Sequence, residues 1–316
     1  MSLRGAKRRS NPMESRRLLS AGGGPASGGR YIIARNDVLL ILLFVFISSI
    51  AFSASKQLDA NLAKLRAHKG PYTFVVFGDN RSGDRIYKTL IDLALKRNPD
   101  FSVNTGDEIT TPGNRDQWAN FWRNSEEIKL PYFLTIGNHD VDDKKSEAVW
   151  KEEVDLPGNE IYYSWTVGKS LFVVLDTYEQ GREYKIEGEQ LVWLKNTLNP
   201  QKYDHQFVFM HAPMYLNEGS THLGSSIDKY PDLRDRLQKL FEEKKVTIVF
   251  AGHEHSYQKR KVDGVWHIVT GGAGAKLYGK TFSHFVLIRV DGPRVEVKVV
   301  DKEGVLHDDF VIHTNP

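Results

Sequence analysis

Five apolar runs in this chain stop in the same way. "TFVVFGDN" ends on Gly78, Asp79 and Asn80, "DFSVNTGDE" on Gly106 and Asp107, and "PYFLTIGNHD" on Gly137, Asn138, His139 and Asp140. "HQFVFMHAP" then ends on His211, and "VTIVFAGHEH" on Gly252, His253 and His255. The first run taken alone reads as an ordinary turn, because Gly, Asp and Asn tolerate left-handed backbone and bond their own main chain. Recurrence changes its meaning, since loops beyond the carboxyl ends of strands in an open α/β sheet converge on one crevice. A glycine before the polar residue, found in four of the five runs, allows a sharp turn that lifts the next side chain off the strand end. In an extended loop His253 and His255 project to the same side, as chelation requires. Two Asp, one Asn and three His make an oxygen and nitrogen set suited to two divalent ions, with one carboxylate bridging.

The remainder of the pattern says what carries these ends. After Pro71, strand-like runs alternate with amphipathic helices: Asp84 to Arg97 places Ile86, Leu90, Leu93 and Ala94 on one stripe, and "EQLVWLKNTL" and "PDLRDRLQKLFEEKK" repeat the design. From Trp266 the chain turns to β-like runs, "WHIVTGG", "HFVLIRV", "RVEVKVV" and "DDFVIH". The expected fold is a layered α/β domain over residues 71–316, central mixed β-sheets flanked by helices.

Charge and composition set the N-terminus apart. Residues 1–37 hold eight Lys/Arg and two acids, leaving 35 basic and 38 acidic residues in the rest, so the net +3 belongs to the leader and no nucleic-acid-binding body is expected. The leader is rich in Gly, Ser and Arg and reads as disordered. Val38 to Phe52, "VLLILLFVFISSIAF", is an uncharged apolar run whose span to Ala54 sits at the short limit for crossing a bilayer. Read as a signal anchor over residues 38–54, it tethers the chain to a membrane with its N-terminus in the cytoplasm. A cleaved signal peptide, giving a secreted protein, and a buried core helix are the alternatives. The first two place the body on the periplasmic or extracellular side. Residues 55–70 read as a polar helical linker, with Leu58, Leu62 and Leu65 on one modest face. The chain has no cysteine, so thiolate metal sites are excluded.

In order and spacing, the five blocks resemble the calcineurin-like metallophosphoesterases, whose pattern runs Asp-x-His, Gly-Asp, Gly-Asn-His-Asp/Glu, His, then Gly-His-x-His. The resemblance covers essentially everything after Pro71. It implies two divalent ions, with Mn, Fe, Zn and Ni indistinguishable from the ligands, one on Asp79, Asp107 and His255 and the other on Asp107, Asn138, His211 and His253. It further implies hydrolysis of a small-molecule phosphate monoester or diester, cyclic nucleotides included, by a hydroxide shared between the ions. His139 matches the non-ligating catalytic histidine, which protonates the leaving oxygen or steadies charge on the phosphate, with Asp140 as its orienter. The chain departs from the pattern at Arg81, where the family has a second histidine: a guanidinium cannot donate a lone pair, so the first ion is expected to be held more weakly or more selectively. Three readings of Arg81 stand: a catalytic fork on the substrate phosphate, a salt bridge that orients Asp79 or Asp107, or a mark of lost turnover. The last would make the protein a membrane-tethered binding protein on the same fold.

Other positions carry less. His222, in the polar loop "NEGSTHLGSS", is either substrate-facing or a solvated loop histidine. His267 reads as a satisfied structural histidine, Gly271 to Gly274 as a tight turn, and Trp118 with Trp122 as packing residues at helical spacing. His68, His205, His284, His307 and His313 receive no role.

Overall fold

The computed structural model describes residues 57–314. The basic leader and the apolar run of residues 38–54 lie outside them. Among the described residues no helix is long and apolar enough to cross a membrane. The helical stretch 57–66, expected as a linker, is docked on the body: Leu65 is buried in the main core and Leu62 packs against it.

Two six-stranded sheets build the domain. In the first, β1 (Tyr72–Phe77), β2 (Phe101–Asn104) and β3 (Tyr132–Leu134) run parallel, and β1 also pairs with the antiparallel meander β10 (His284–Asp291), β11 (Arg294–Asp301) and β12 (Leu306–His313). In the second, β5 (Ser170–Val174), β6 (His205–Met210), β7 (Ile248–Ala251) and β9 (Val265–Thr270) are parallel. Antiparallel β4 (Tyr163–Val167) and β8 (Tyr257–Val262) close its edges. The parallel connections carry α1 (Asp84–Leu95), α2 (Arg115–Asn124), α4 (Gly188–Thr197) and α5 (Pro231–Glu243), while α3 (Lys144–Glu153) links β3 of the first sheet to β4 of the second.

The sheets meet over an aromatic interior, as expected for strands buried on both faces. Phe74 stacks on Phe101 at 5.0 Å, Phe172 meets Phe101 edge-on at 5.1 Å, and Trp165 lies over Phe133 at 3.8 Å. Each buried Phe contributes roughly 1.5–3 kcal/mol by leaving water. This wide contact fixes the sheets against each other and so brings two sets of strand ends together.

On α1 the buried stripe is Tyr87, Leu90, Ile91 and Ala94, so the apolar face is rotated from the expected one and Ile86 and Leu93 lie on its flanks. Tyr87 is chosen because its hydroxyl bonds Tyr132 (2.6 Å) and Ser125 (3.1 Å), contacts invisible to an apolar count. Trp118 is fully buried and packs on Trp150. His267 is buried and bonded to Gln238 (2.9 Å), with burial lowering its pKa to about 3.

Candidate metal centre

Register places the ligand-type residues at one level. Phe77 pairs with Asn104 and Asn104 with Leu134, so Asp79, Asp107 and Asn138 leave the first sheet side by side. Met210 pairs with Ala251 and Ala251 with Val269, which does the same for His211, His253 and His255 in the second. Main-chain bonds pin the loops: Asp79 N–H donates to Gly106 O (3.0 Å), Gly252 N–H to His211 O (3.0 Å) and Ala275 N–H to Asp79 O (2.8 Å). The sheets are joined here by the His253 N–H, which donates to Asp79 Oδ2 at 2.9 Å.

The glycines act differently from the sequence expectation. The residues bent into left-handed backbone include Asp79 (φ 57°), Asp107 (φ 61°) and His253 (φ 67°), the side chains that carry the chemistry. Such conformations cost roughly 1–3 kcal/mol each and persist where surrounding contacts hold them. At Gly252 the requirement is space, since a Cβ there would lie 2.5 Å from Asp79 Oδ2 and 2.9 Å from Thr105 Oγ1. Gly271 serves the same end, its missing Cβ leaving room for Asp79 Oδ2 at 2.8 Å.

Ring tautomers follow from carbonyl partners, which can only accept. His211 donates Nδ1–H to Thr105 O (2.8 Å), His255 to Lys276 O (2.7 Å) and His139 to Thr110 O (2.7 Å), leaving a lone pair on each Nε2. His253 donates Nε2–H to Ser225 O (3.1 Å), leaving its lone pair on Nδ1.

Acceptors then face acceptors. His211 Nε2 lies 3.2 Å from Asn138 Oδ1 and 3.3 Å from Asp107 Oδ1. On the other side, His255 Nε2 is buried without a hydrogen-bond partner, 3.4 Å from Asp79 Oδ1. Ligand atoms of Asp79, Asp107 and His211 all fall within 4.8 Å of one another. Such lone pairs crowded in a dry site are stable only around positive charge. Burial opposes a charged ring at His255, yet Asp79 outweighs it and lifts the His255 pKa above its ordinary value. Burial would also raise Asp107, but His211, His139, Arg81 and His253 overturn this and hold its carboxyl at about 2. The donor set of Asp79, Asp107, Asn138, His211, His253 and His255 fits hard or borderline divalent ions.

Arg81 pairs with Asp107 through both side chain and main chain. Its Nε donates to Asp107 Oδ2 at 3.0 Å and its backbone N–H to Asp107 O at 3.2 Å, the orienting salt bridge among the three readings. The terminal guanidinium nitrogens have no hydrogen-bond partner among the described residues, which leaves the fork free.

Two positions correct the sequence reading. Asp140 does not orient the His139 ring. Its Oδ2 accepts from the Asp107 and Gly137 amides (2.8 Å each) and its Oδ1 from Ile109 N–H (3.1 Å), while Thr110 O holds His139. The main chain beside a buried carboxylate has first claim on it, because unpaired amides are costly. Gly271 to Gly274 are more than a tight turn, since the segment packs against Asp79 and Asn80.

His222 is held at the centre. Its ring centroid is 3.9 Å from that of His253, and Glu254, the residue between His253 and His255, accepts from its Nδ1 (3.2 Å) and its backbone N–H (3.0 Å). Two aromatic neighbours escape sequence reasoning. Tyr178 sets its hydroxyl 3.3 Å from His253 Nδ1, and Tyr278 stacks on His255 at 4.5 Å. A signal for Tyr178 was present: "LFVVLDTY" is a sixth apolar run ending in polar residues, at Asp176.

The calcineurin-like phosphoesterase family model matches residues 72–257, more than half of the chain. The chain belongs to the calcineurin-like phosphoesterase family. Among curated members, it is 29% identical over 209 residues to purple acid phosphatase 21 of Arabidopsis thaliana, covering 61% of this chain and 46% of that protein. It is 28% identical to purple acid phosphatase 23 of the same plant over 229 residues, covering 66% and 47%. This phosphoesterase chain therefore spans about half the length of the curated relatives it matches. The structure of purple acid phosphatase PPD1 from yellow lupin seeds shares the fold, with a TM-score of 0.68 and 19% identity over 78% of this chain and 54% of that one.

Proposed function

We propose that the protein is a metal-dependent phosphoester hydrolase. The observation that carries this reading is the pair of acceptor-on-acceptor contacts flanking Asp107, at Asn138/His211 and at Asp79/His255. Asp79, Asp107 and His255 would hold one divalent ion and Asp107, Asn138, His211 and His253 the other. Bound there, the ions supply an activated water at neutral pH and neutralise phosphoryl oxygens. The chain's own residues do the rest. His139, with Nδ1–H fixed on Thr110 O, presents Nε2, which in the doubly protonated ring would pass its proton to the leaving oxygen or steady charge on the phosphate. His222, anchored through Nδ1 to Glu254, would offer its remaining ring nitrogen to the substrate. Arg81 keeps Asp107 ionised with Nε and offers its terminal fork to a phosphoryl oxygen. The apolar run of residues 38–54 supports a body held outside the cytoplasm by a membrane anchor.

The test is hydrolysis of p-nitrophenyl phosphate and bis(p-nitrophenyl) phosphate by the full-length chain with Mn²⁺, Fe²⁺, Zn²⁺ or Mg²⁺. Metal-dependent turnover of either ester is expected, and their ratio gives the mono- or diester preference. Absence of turnover with every metal overturns the reading. It would leave the second one, a binding protein on the same fold. That alternative draws support from the Arg81 guanidinium on Asp107 and from relatives named probable inactive purple acid phosphatases 1 and 27.

A further inference from the structure

Beside the centre lies a cavity of about 540 Å³ that none of the steps above uses. Ile136 and Val141 line it and flank the Gly137–Asp140 turn, and Tyr178 lines it while its hydroxyl touches His253. It therefore borders the side chains that would face the reacting phosphate.

Its lining is unbalanced in charge. Asp142, Asp143, Glu147, Asp176, Glu179 and Glu189 stand against Lys144, Lys151 and Arg182. Two of those cations are already committed, Lys151 to Glu147 at 2.7 Å and Arg182 to Glu179 at 2.9 Å. Among these acids Asp176 is only 5% exposed. Its Oδ1 accepts from Tyr178 N–H (2.7 Å), whereas its Oδ2 has no hydrogen-bond partner among the described residues. Burial, reinforced by the charges of Glu179 and Glu147, pushes the Asp176 carboxyl up to about 7. A largely buried carboxylate with one oxygen open to the cavity and unmet by a protein donor, among further acids, is stabilised by a cation.

We propose that this cavity seats an organic ammonium group on the leaving-group side of the phosphoester, with Asp176 as its counter-ion. The inference rests on the hydrolase reading and names its substrate class as amino-alcohol phosphates. A bare metal ion fits less well, because the cavity is far larger than one ion and mixes carboxylates with Tyr162, Tyr178 and aliphatic side chains. That mixture suits a cation carrying an apolar body.

The test compares two esters of the same shape, phosphocholine and its uncharged isostere 3,3-dimethylbutyl phosphate, on the metal-loaded full-length protein. The kcat/KM ratio is expected to favour phosphocholine about tenfold or more. It should fall toward one in Asp176→Asn, which keeps the Oδ1 acceptor for Tyr178, and be reduced in Glu189→Gln at the rim. A ratio of one or below in the unaltered protein, or a ratio unchanged in both variants, overturns the proposal. If neither alkyl ester is turned over, calorimetry with tetramethylammonium decides. Saturable binding weakened in Asp176→Asn upholds the site, and no binding overturns it, whatever the outcome with p-nitrophenyl phosphate.

Discussion

The two sides of Asp107 solve the same problem differently. Toward Asn138 and His211 the carboxylate oxygen Oδ1 lies 3.3 Å from His211 Nε2, which in turn lies 3.2 Å from Asn138 Oδ1. Toward Asp79 and His255 the oxygen Oδ2 is already met by the Arg81 guanidinium at 3.0 Å. On one side the carboxylate faces a ring nitrogen and an amide oxygen, and on the other a positive charge of the chain itself. A fixed charge cannot dissociate and offers no lone pair, so it neutralises the carboxylate while giving up a coordination position. The expected consequence is two ions of unequal affinity, with the Arg81 side releasing its ion first under chelator.

Removing the shared residue abolishes the comparison and has the largest expected effect. Asp107→Asn takes charge from both sides, and kcat/KM is expected to fall about 10⁴-fold or more, with metal content by elemental analysis well below that of the parent. Retained stoichiometry would show that the bridging assignment is wrong.

His139→Ala should leave both sides loaded and remove proton transfer, lowering kcat about 10²- to 10⁴-fold. The check is turnover alongside metal per chain, and loss of metal would make His139 a ligand.

A histidine outside the centre supplies a contrast with the rings inside it. His267 is neutral when folded, with its pKa depressed to about 3 by burial, so an unfolded chain takes up a proton near the ordinary value of 6.5 while the folded one does not. Stability from this group is therefore present at pH 7 and lost as pH falls through the window between those values. Between pH 7 and pH 5 the loss is about 2 kcal/mol. His267→Gln should flatten that slope in denaturant titrations, and an unaltered slope would assign it to other groups.

The smallest expected effect sharpens the two-sided picture most. Arg81→His restores a lone pair on the Asp79 side and should tighten the weaker ion, raising its retention under chelator about tenfold, while KM rises as the phosphate fork is lost. Equal retention in both proteins would mean that Arg81 does not set the difference.

Much of the candidate site could be read locally. A glycine followed by Asp, Asn or His at the end of an apolar run is a short-range signal, and the structure brings Asp79, Asp107, Asn138, His211, His253 and His255 to one place. Asp140 misled because it lies next to His139 in sequence, whereas its carboxylate reaches amides 31 and 33 residues away in the chain. Tyr178 and Tyr278 stayed hidden because an aromatic residue in a loop looks the same whether it faces water or a histidine. The β8 edge strand, "YQKRKV", has too little apolar content to announce itself and is defined by pairing with β9.

The sequence by itself determined the strand ends and the residue types they carry, Arg81 among them, because period, turn residues and side-chain chemistry are properties of a few neighbouring positions. Only the tertiary structure decided that Arg81 spends its Nε on Asp107, that Glu254 holds His222 against His253, and that Asp176 looks into a charged cavity. Those choices depend on which groups two packed sheets bring within 3–4 Å, and pairing at that range is set by the aromatic interface between the sheets, far from the residues it positions.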